Sequence, residues 1–268
     1  MTRVLVFLDA DLASSMALRY ACQMAKLTDM ELQPIHVEDA AGRGGSPGSG
    51  WVRKTWESAL LETGREEITR LVEAERKACP SLLPPKLCMG DREEEILREL
   101  EAGDYDLFVE GALYRFTSAD FAAKLRSRLY RFAPCPIILV RNLVELGKVA
   151  FLVGDEPAPQ ALIKAYWPVL GQAGLDTDIF YYQQAHGLLG PAPGTEPEKV
   201  LQAAREALAQ RGGEAGRVQV LDNSPEKAAE ELRDYGLVVA AVSSRHRKGP
   251  MVKLLSQSPA PCMLLVLH

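Results

Sequence analysis

The sequence predicts an α/β protein of two tandem units, each a parallel sheet with helices on both faces. Three observations predict it. Apolar runs of strand length alternate with segments of helical apolar spacing along the chain. Short motifs recur in one order: Ala17-Leu18 with Ala161-Leu162, Asp104-Tyr105 with Asp234-Tyr235, and Ala133-Pro134-Cys135 with Ala260-Pro261-Cys262. About ten strand-like runs fall into two groups of five, each closed by an Ala-Pro-Cys strand, which excludes a single eight-stranded barrel.

The 268 residues are enough for two domains of ordinary size. Residues 1–141 form the expected first unit and 148–268 a shorter second one, with a linker between them. A net charge of −5 gives no basic field for nucleic acid. No apolar run reaches the roughly 18 to 20 residues that a membrane span needs. Asp9 and Asp11 interrupt the N-terminal apolar run too early for a signal peptide, so the expectation is a first strand in a cytoplasmic protein. The five cysteines are an odd number with no CxxC pair and fit no disulfide framework. Cys135 and Cys262 precede buried strands and read as small apolar residues.

Residues 3 to 9 read as a strand buried on both faces. Ser14 and Ser15 lead into a helix with Met16, Ala17, Tyr20, Ala21, Met24 and Leu27 at helical spacing. Residues 31–38 are the second strand. The Gly-rich residues 41–50 can hold no regular structure and read as a connector, with a lid or docking loop as the alternative because Trp51 and Trp56 follow. A long helix over about 54–78 ends at Pro80, and 86–89 is a third strand. Glu93, Glu94 and Glu95 suit the N-terminus of the next helix. A buried strand over 104–111, a helix over roughly 119–132 and a strand over 133–140 complete the unit.

The cycle restarts at Lys148, with strands over 149–153, 178–183 and 217–221 and helices over about 159–171 and 197–211. A Gly/Pro-rich loop at 187–197 takes the place of the earlier one. Asn223 or Ser224 caps a helix to Arg233, with Pro225 at a favourable first position. The 104–140 stretch is echoed last, over 234–266.

Taken together, these residues resemble the universal stress protein family in a tandem arrangement. The resemblance covers essentially the whole chain. It rests on residues 4–9 with Ser14 to Leu18, on Ile35-His36-Val37, on Gly90-Asp91 before an acidic helix, on residues 105–111, and most specifically on 133–141. It implies two Rossmann-like, adenine nucleotide α-hydrolase-like units, each a five-stranded parallel sheet in the order 3-2-1-4-5. It also implies pairing of such units, as a homodimer or as a pseudo-dimer within one chain.

Family members that bind ATP carry Gly, two residues, Gly, nine residues, then Gly with Ser or Thr. Glycines let the backbone approach phosphates, and helix N–H groups complete the cradle. Gly111 matches the first glycine, Tyr114 stands at the second, and Ala123 to Leu125 holds no Gly-Ser. In the second half Ala241 replaces even the first. Asp9 matches the acid near ribose and phosphates, and Val37 lies where adenine meets backbone groups. Asp9, Val37 and Gly111 are therefore the candidate lining of a residual ATP pocket in the first half. The plainer reading is that Asp9 caps a turn and Gly111 supplies a positive φ.

Basic residues at 115–131 and 245–248 read as solvated faces or as seats for a small anionic ligand. His36, at a strand end beside the presumed pocket, is the histidine to watch. No HExxH, nucleophile elbow or full Walker A motif occurs. The expectation is a non-enzymatic regulatory or binding protein of stress response with no cofactor, acting through protein partners. The alternative is a nucleotide-binding switch or weak ATPase using the first half alone.

Overall fold

A computed structural model describes the chain except residues 40–50, 113–116, 155–158, 183–195, 244–248 and 268. The loop at 41–50, Tyr114 and the basic run at 245–248 thus lie outside the described residues, as does most of the loop at 187–197.

The first half runs β1 (Thr2–Phe7), α1 (Leu12–Leu27), β2 (Met30–Glu38), α2 (Trp51–Arg76), β3 (Lys86–Met89), α3 (Arg92–Gly103), β4 (Leu107–Gly111), α4 (Ser118–Lys124), α5 (Arg128–Phe132) and β5 (Ile137–Val140). The second runs β6 (Lys148–Val153), α6 (Pro159–Leu170), β7 (Asp176–Tyr182), α7 (Pro197–Ala209), β8 (Val218–Leu221), α8 (Pro225–Glu231), β9 (Leu237–Ser243), α9 (Pro250–Gln257) and β10 (Cys262–Leu267). No described helix is long and apolar enough to cross a membrane.

The strands form one ten-stranded sheet in the order β3-β2-β1-β4-β5-β10-β9-β6-β7-β8. Each half has the expected 3-2-1-4-5 order, and within each half every pairing is parallel. The halves meet at β5 and β10, which pair antiparallel with Ile138 opposite Met263. The chain is therefore an internal pseudo-dimer.

The apolar strands bury both faces, as parallel strands between helix layers must. Val4, Val6 and Leu8 pack on one side with residues of α1, α2, α6 and α7, while Leu5 and Phe7 pack on the other with residues of α3, α4, α5, α8 and α9. Both cores run across the β5–β10 junction. Arg141 reinforces that junction, donating to the carbonyls of Leu255, Ser256 and Ser258 at 3.2, 2.7 and 2.8 Å, at the end of α9. Ser118 and Ser256 place their hydroxyls 2.7 Å apart across it.

The repeated Asp-Tyr motif has a structural cause. Tyr105 lies under the Arg3 guanidinium, 5.0 Å from its ring centre, and Tyr235 under the Lys148 ammonium at 5.5 Å. Their hydroxyls donate 2.6 Å hydrogen bonds to Glu99 and Asp178 respectively. Asp104 ends α3 in the left-handed region at φ 48°, a conformation Asp tolerates better than most residues.

Two expectations need correction. The helix over 119–132 is two short helices, because the Ser127 hydroxyl caps a new start by accepting from the Tyr130 N–H at 3.3 Å. The Ala-Pro-Cys echo is two residues out of structural register. Phe108 N–H donates to Pro136, and its counterpart Val238 N–H donates to Pro261, so Pro261 matches Pro136 rather than Pro134.

Candidate functional site

The strand order reverses between β1 and β4, which α1 and α4 leave on opposite faces of the sheet, and ligands of open parallel sheets bind at such points beyond the carboxyl ends of the strands. A cavity of about 320 Å³ lies there. Asp9, Asp11, Ser14, Arg92, Gly111, Asp120 and Lys124 are among its lining residues. Two of the three expected pocket residues, Asp9 and Gly111, are thus brought together. Val37 is buried in the core with Leu5, Phe7 and Ile35 and does not line the cavity.

Gly111 has no positive φ. It is glycine because the first turn of α1 crosses directly over it, and any side chain there would collide with the Ala13 carbonyl. The cap of α1 is Asp11, its carboxylate accepting from the Ser14 N–H at 2.7 Å, while the Ser14 hydroxyl accepts from the Asp9 N–H at 2.7 Å. Asp9 accepts from the next N–H, of Ala10, and its side chain stays 58% exposed. At α4, Thr117 and Asp120 form a reciprocal capping box. Both helix starts at this cavity therefore carry their own carboxylate.

Glu110 is the least expected element. It is fully buried on the face of β4 away from Val109, and three donors converge on it. Lys124 and the Tyr130 hydroxyl each reach one oxygen at 2.6 Å, and Arg92 reaches the other at 2.8 Å. Burial pushes its pKa up, but the charges of Lys124 and Arg92, with the hydrogen bonds from Lys124 and Tyr130, outweigh that and hold it below its ordinary value. Burial, and then Glu110 itself, push the Tyr130 hydroxyl well above the usual phenol range. Arg92 is held further by stacking 3.9 Å over the Phe7 ring. Sequence reasoning missed Glu110; the available signal was a carboxylate inside a run otherwise apolar enough to be buried on both faces.

His36 is buried beside this cavity. Its Nδ1 is 2.9 Å from the Leu8 carbonyl, which can only accept, so Nδ1 carries a hydrogen. Its Nε2 faces a Glu38 carboxylate oxygen at 3.2 Å. The Asp9 carboxylate is 4.0 Å from Nδ1. The pair is closed over by Gly64 of α2, whose missing side chain leaves room for the ring. Of the basic residues over 115–131, Lys124 pairs with Glu110 and Arg128 with Glu94.

The second half has no matching constellation among its described residues. Ala240, buried, stands where Glu110 stands in the first half, and Gly154 stands where Asp9 does, with the Met251 side chain approaching that position. A larger cavity of about 830 Å³ lies at the amino ends of β6, β7 and β8, the opposite end from the switch point. Its buried Asp178 accepts from the Tyr235 hydroxyl, the Arg217 N–H and Lys148, and these outweigh the upward push of burial and hold its pKa below the ordinary value.

No protein-family model and no curated protein sequence matches the chain. Solved structures do. A universal stress protein from Archaeoglobus fulgidus matches over 98% of this chain and 96% of its own, at 15% identity and a TM-score of 0.69. A functionally unknown protein from Pseudomonas aeruginosa PAO1 matches over 99% and 92%, at 16% identity and a TM-score of 0.62. The chain thus has the fold of a tandem-length universal stress protein structure along its whole length.

Proposed function

We propose that this chain is a tandem universal stress protein acting in stress response as a non-enzymatic regulatory or binding protein. On this reading the ATP signature is out of use in both halves. The sequence resemblance and the shared fold support the family; fold alone does not fix activity. One observation carries the loss of nucleotide binding. The helix starts facing the cavity are capped from within the chain: the Ser14 N–H donates to Asp11, the Asp120 N–H to the Thr117 hydroxyl and the Thr117 N–H to Asp120, so N–H groups that would hold a phosphate already have partners. Gly111, the surviving signature glycine, is required by the passage of α1 instead. In the second half Ala241 occupies that position.

The test is thermal unfolding with and without ATP and Mg²⁺. A ligand at about one hundred times its dissociation constant stabilises by about 2.7 kcal/mol, a shift of several degrees. The reading expects no shift, and a clear one sinks it. The second reading, a nucleotide-binding switch in the first half, draws on Asp9 and Gly111 lining one cavity. It expects a shift that Asp9→Ala removes.

A further inference from the structure

The cavity at the ends of β1 and β4 has cations in its wall, Arg92 and Lys124, and both are bound to a carboxylate of the same chain. We propose that Glu110 determines the ligand class of this cavity: it is a built-in anion, seated where Lys124, Arg92 and the Tyr130 hydroxyl would otherwise hold a phosphate group, and it makes the protein refuse phosphate-bearing ligands. The inference rests on the reading of the cavity as a disused nucleotide site and names the residue that keeps it so.

Three features support it. The donors are those that bind phosphates elsewhere, an Arg fork, a Lys ammonium and a hydroxyl, and they converge on two oxygens at 2.6 to 2.8 Å. Arg92 and Lys124 are part-exposed and reach the cavity, whereas Glu110 is sealed beneath it, so the negative charge is shielded from exchange with any solvent anion. The rest of the wall adds carboxylates at Asp9, Asp11 and Asp120, so an incoming anion meets repulsion with no unsatisfied cation in return among the described lining residues. A regular apolar strand did not require Glu110. The second half folds the same strand with Ala240 there.

The experiment uses the full chain and inorganic pyrophosphate, by calorimetric titration and thermal unfolding at ionic strength matched with chloride. Wild type should show no saturable binding. Glu110→Ala, which copies the residue of the second half, should bind pyrophosphate about tenfold or more tighter, the worth of one charge-assisted hydrogen bond. Adding Lys124→Ala should remove the gain. Glu110→Gln, nearly the same size, should gain in the same direction. If the variants unfold because two cations lie unpaired, pyrophosphate should restore folding where chloride does not. Folded variants with no gain, unfolded variants that pyrophosphate does not restore, or wild type binding as tightly as Glu110→Ala would each overturn the proposal. Failure of the broader reading shows separately, as ATP binding by wild type that Glu110→Ala leaves unchanged.

Discussion

The Tyr20 hydroxyl of α1 donates a 2.7 Å hydrogen bond to the Gly236 carbonyl of the second half, inside the protein and across 216 residues of sequence. Tyr20 is wholly buried, and burial leads the causes that push its pKa well above the phenol range, so it stays a neutral donor. Tyr20→Phe keeps the ring and strips the carbonyl of this partner. It should cost about 1 to 3 kcal/mol in urea unfolding, the penalty of an unmet buried polar group. A change within error would mean that water replaces the hydroxyl.

Arg141 meets three carbonyls at the end of α9 with one guanidinium nitrogen. Arg141→Met should lower stability by about 2 to 3 kcal/mol. Arg141→Lys should recover only part of it, because its ammonium ends one bond short of the guanidinium nitrogen that makes all three contacts. Denaturant midpoints of the three proteins decide this, and full recovery by Lys would contradict it.

Gly111→Ala should destabilise by about 1 to 3 kcal/mol or more, since the obstacle is the Ala13 backbone and not a side chain that can rotate away. The loss should be the same with and without ATP. An undiminished melting temperature would mean that α1 does not pass so close to β4.

Glu110 makes stability depend on pH. Its folded pKa lies below the unfolded value, so its contribution is present above the unfolded carboxylate range, about 4.3, and is lost as pH falls through the folded value. Lys124→Met removes one favourable charge and raises that folded pKa. The acid-unfolding midpoint, followed by circular dichroism, should therefore move to higher pH than in wild type. A midpoint that stays put would show that Arg92 and Tyr130 suffice.

Tyr105→Phe and Tyr235→Phe remove equivalent hydroxyls, from Glu99 and from Asp178. Each should cost about 1 kcal/mol or more, and the double variant should be additive because the sites sit in different halves. A large coupling energy would mean that the two sites communicate through the shared sheet.

Much of the fold was legible in the sequence because it is written in strand length and apolar content. The runs at Val4, Leu107 and Leu237 specify buried parallel strands almost alone. Register was less legible. Ala260-Pro261-Cys262 looks like Ala133-Pro134-Cys135, yet hydrogen bonding matches Pro261 to Pro136, since a three-residue likeness carries no information on which carbonyl meets which N–H. The break of one expected helix into α4 and α5 was signalled by Ser127, a good N-cap that helical spacing alone overlooks. At the site, Asp9 and Gly111 could be placed by motif, but Gly111 is glycine for packing rather than for a positive φ. Glu110 was hidden because its partners come from 18, 14 and 20 residues away, and only folding brings Arg92, Lys124 and Tyr130 together.

The antiparallel seam of β5 and β10 lies inside one polypeptide, and this changes what mutation can do. In an assembly of two identical chains every substitution is made twice, and a change that suits one site is imposed on its twin. Fusion lifts that constraint. One half holds Glu110 with its three donors while the other holds Ala240, and neither has had to compromise for the other. Heredity has one gene here to vary, but selection has two independent sites to act on.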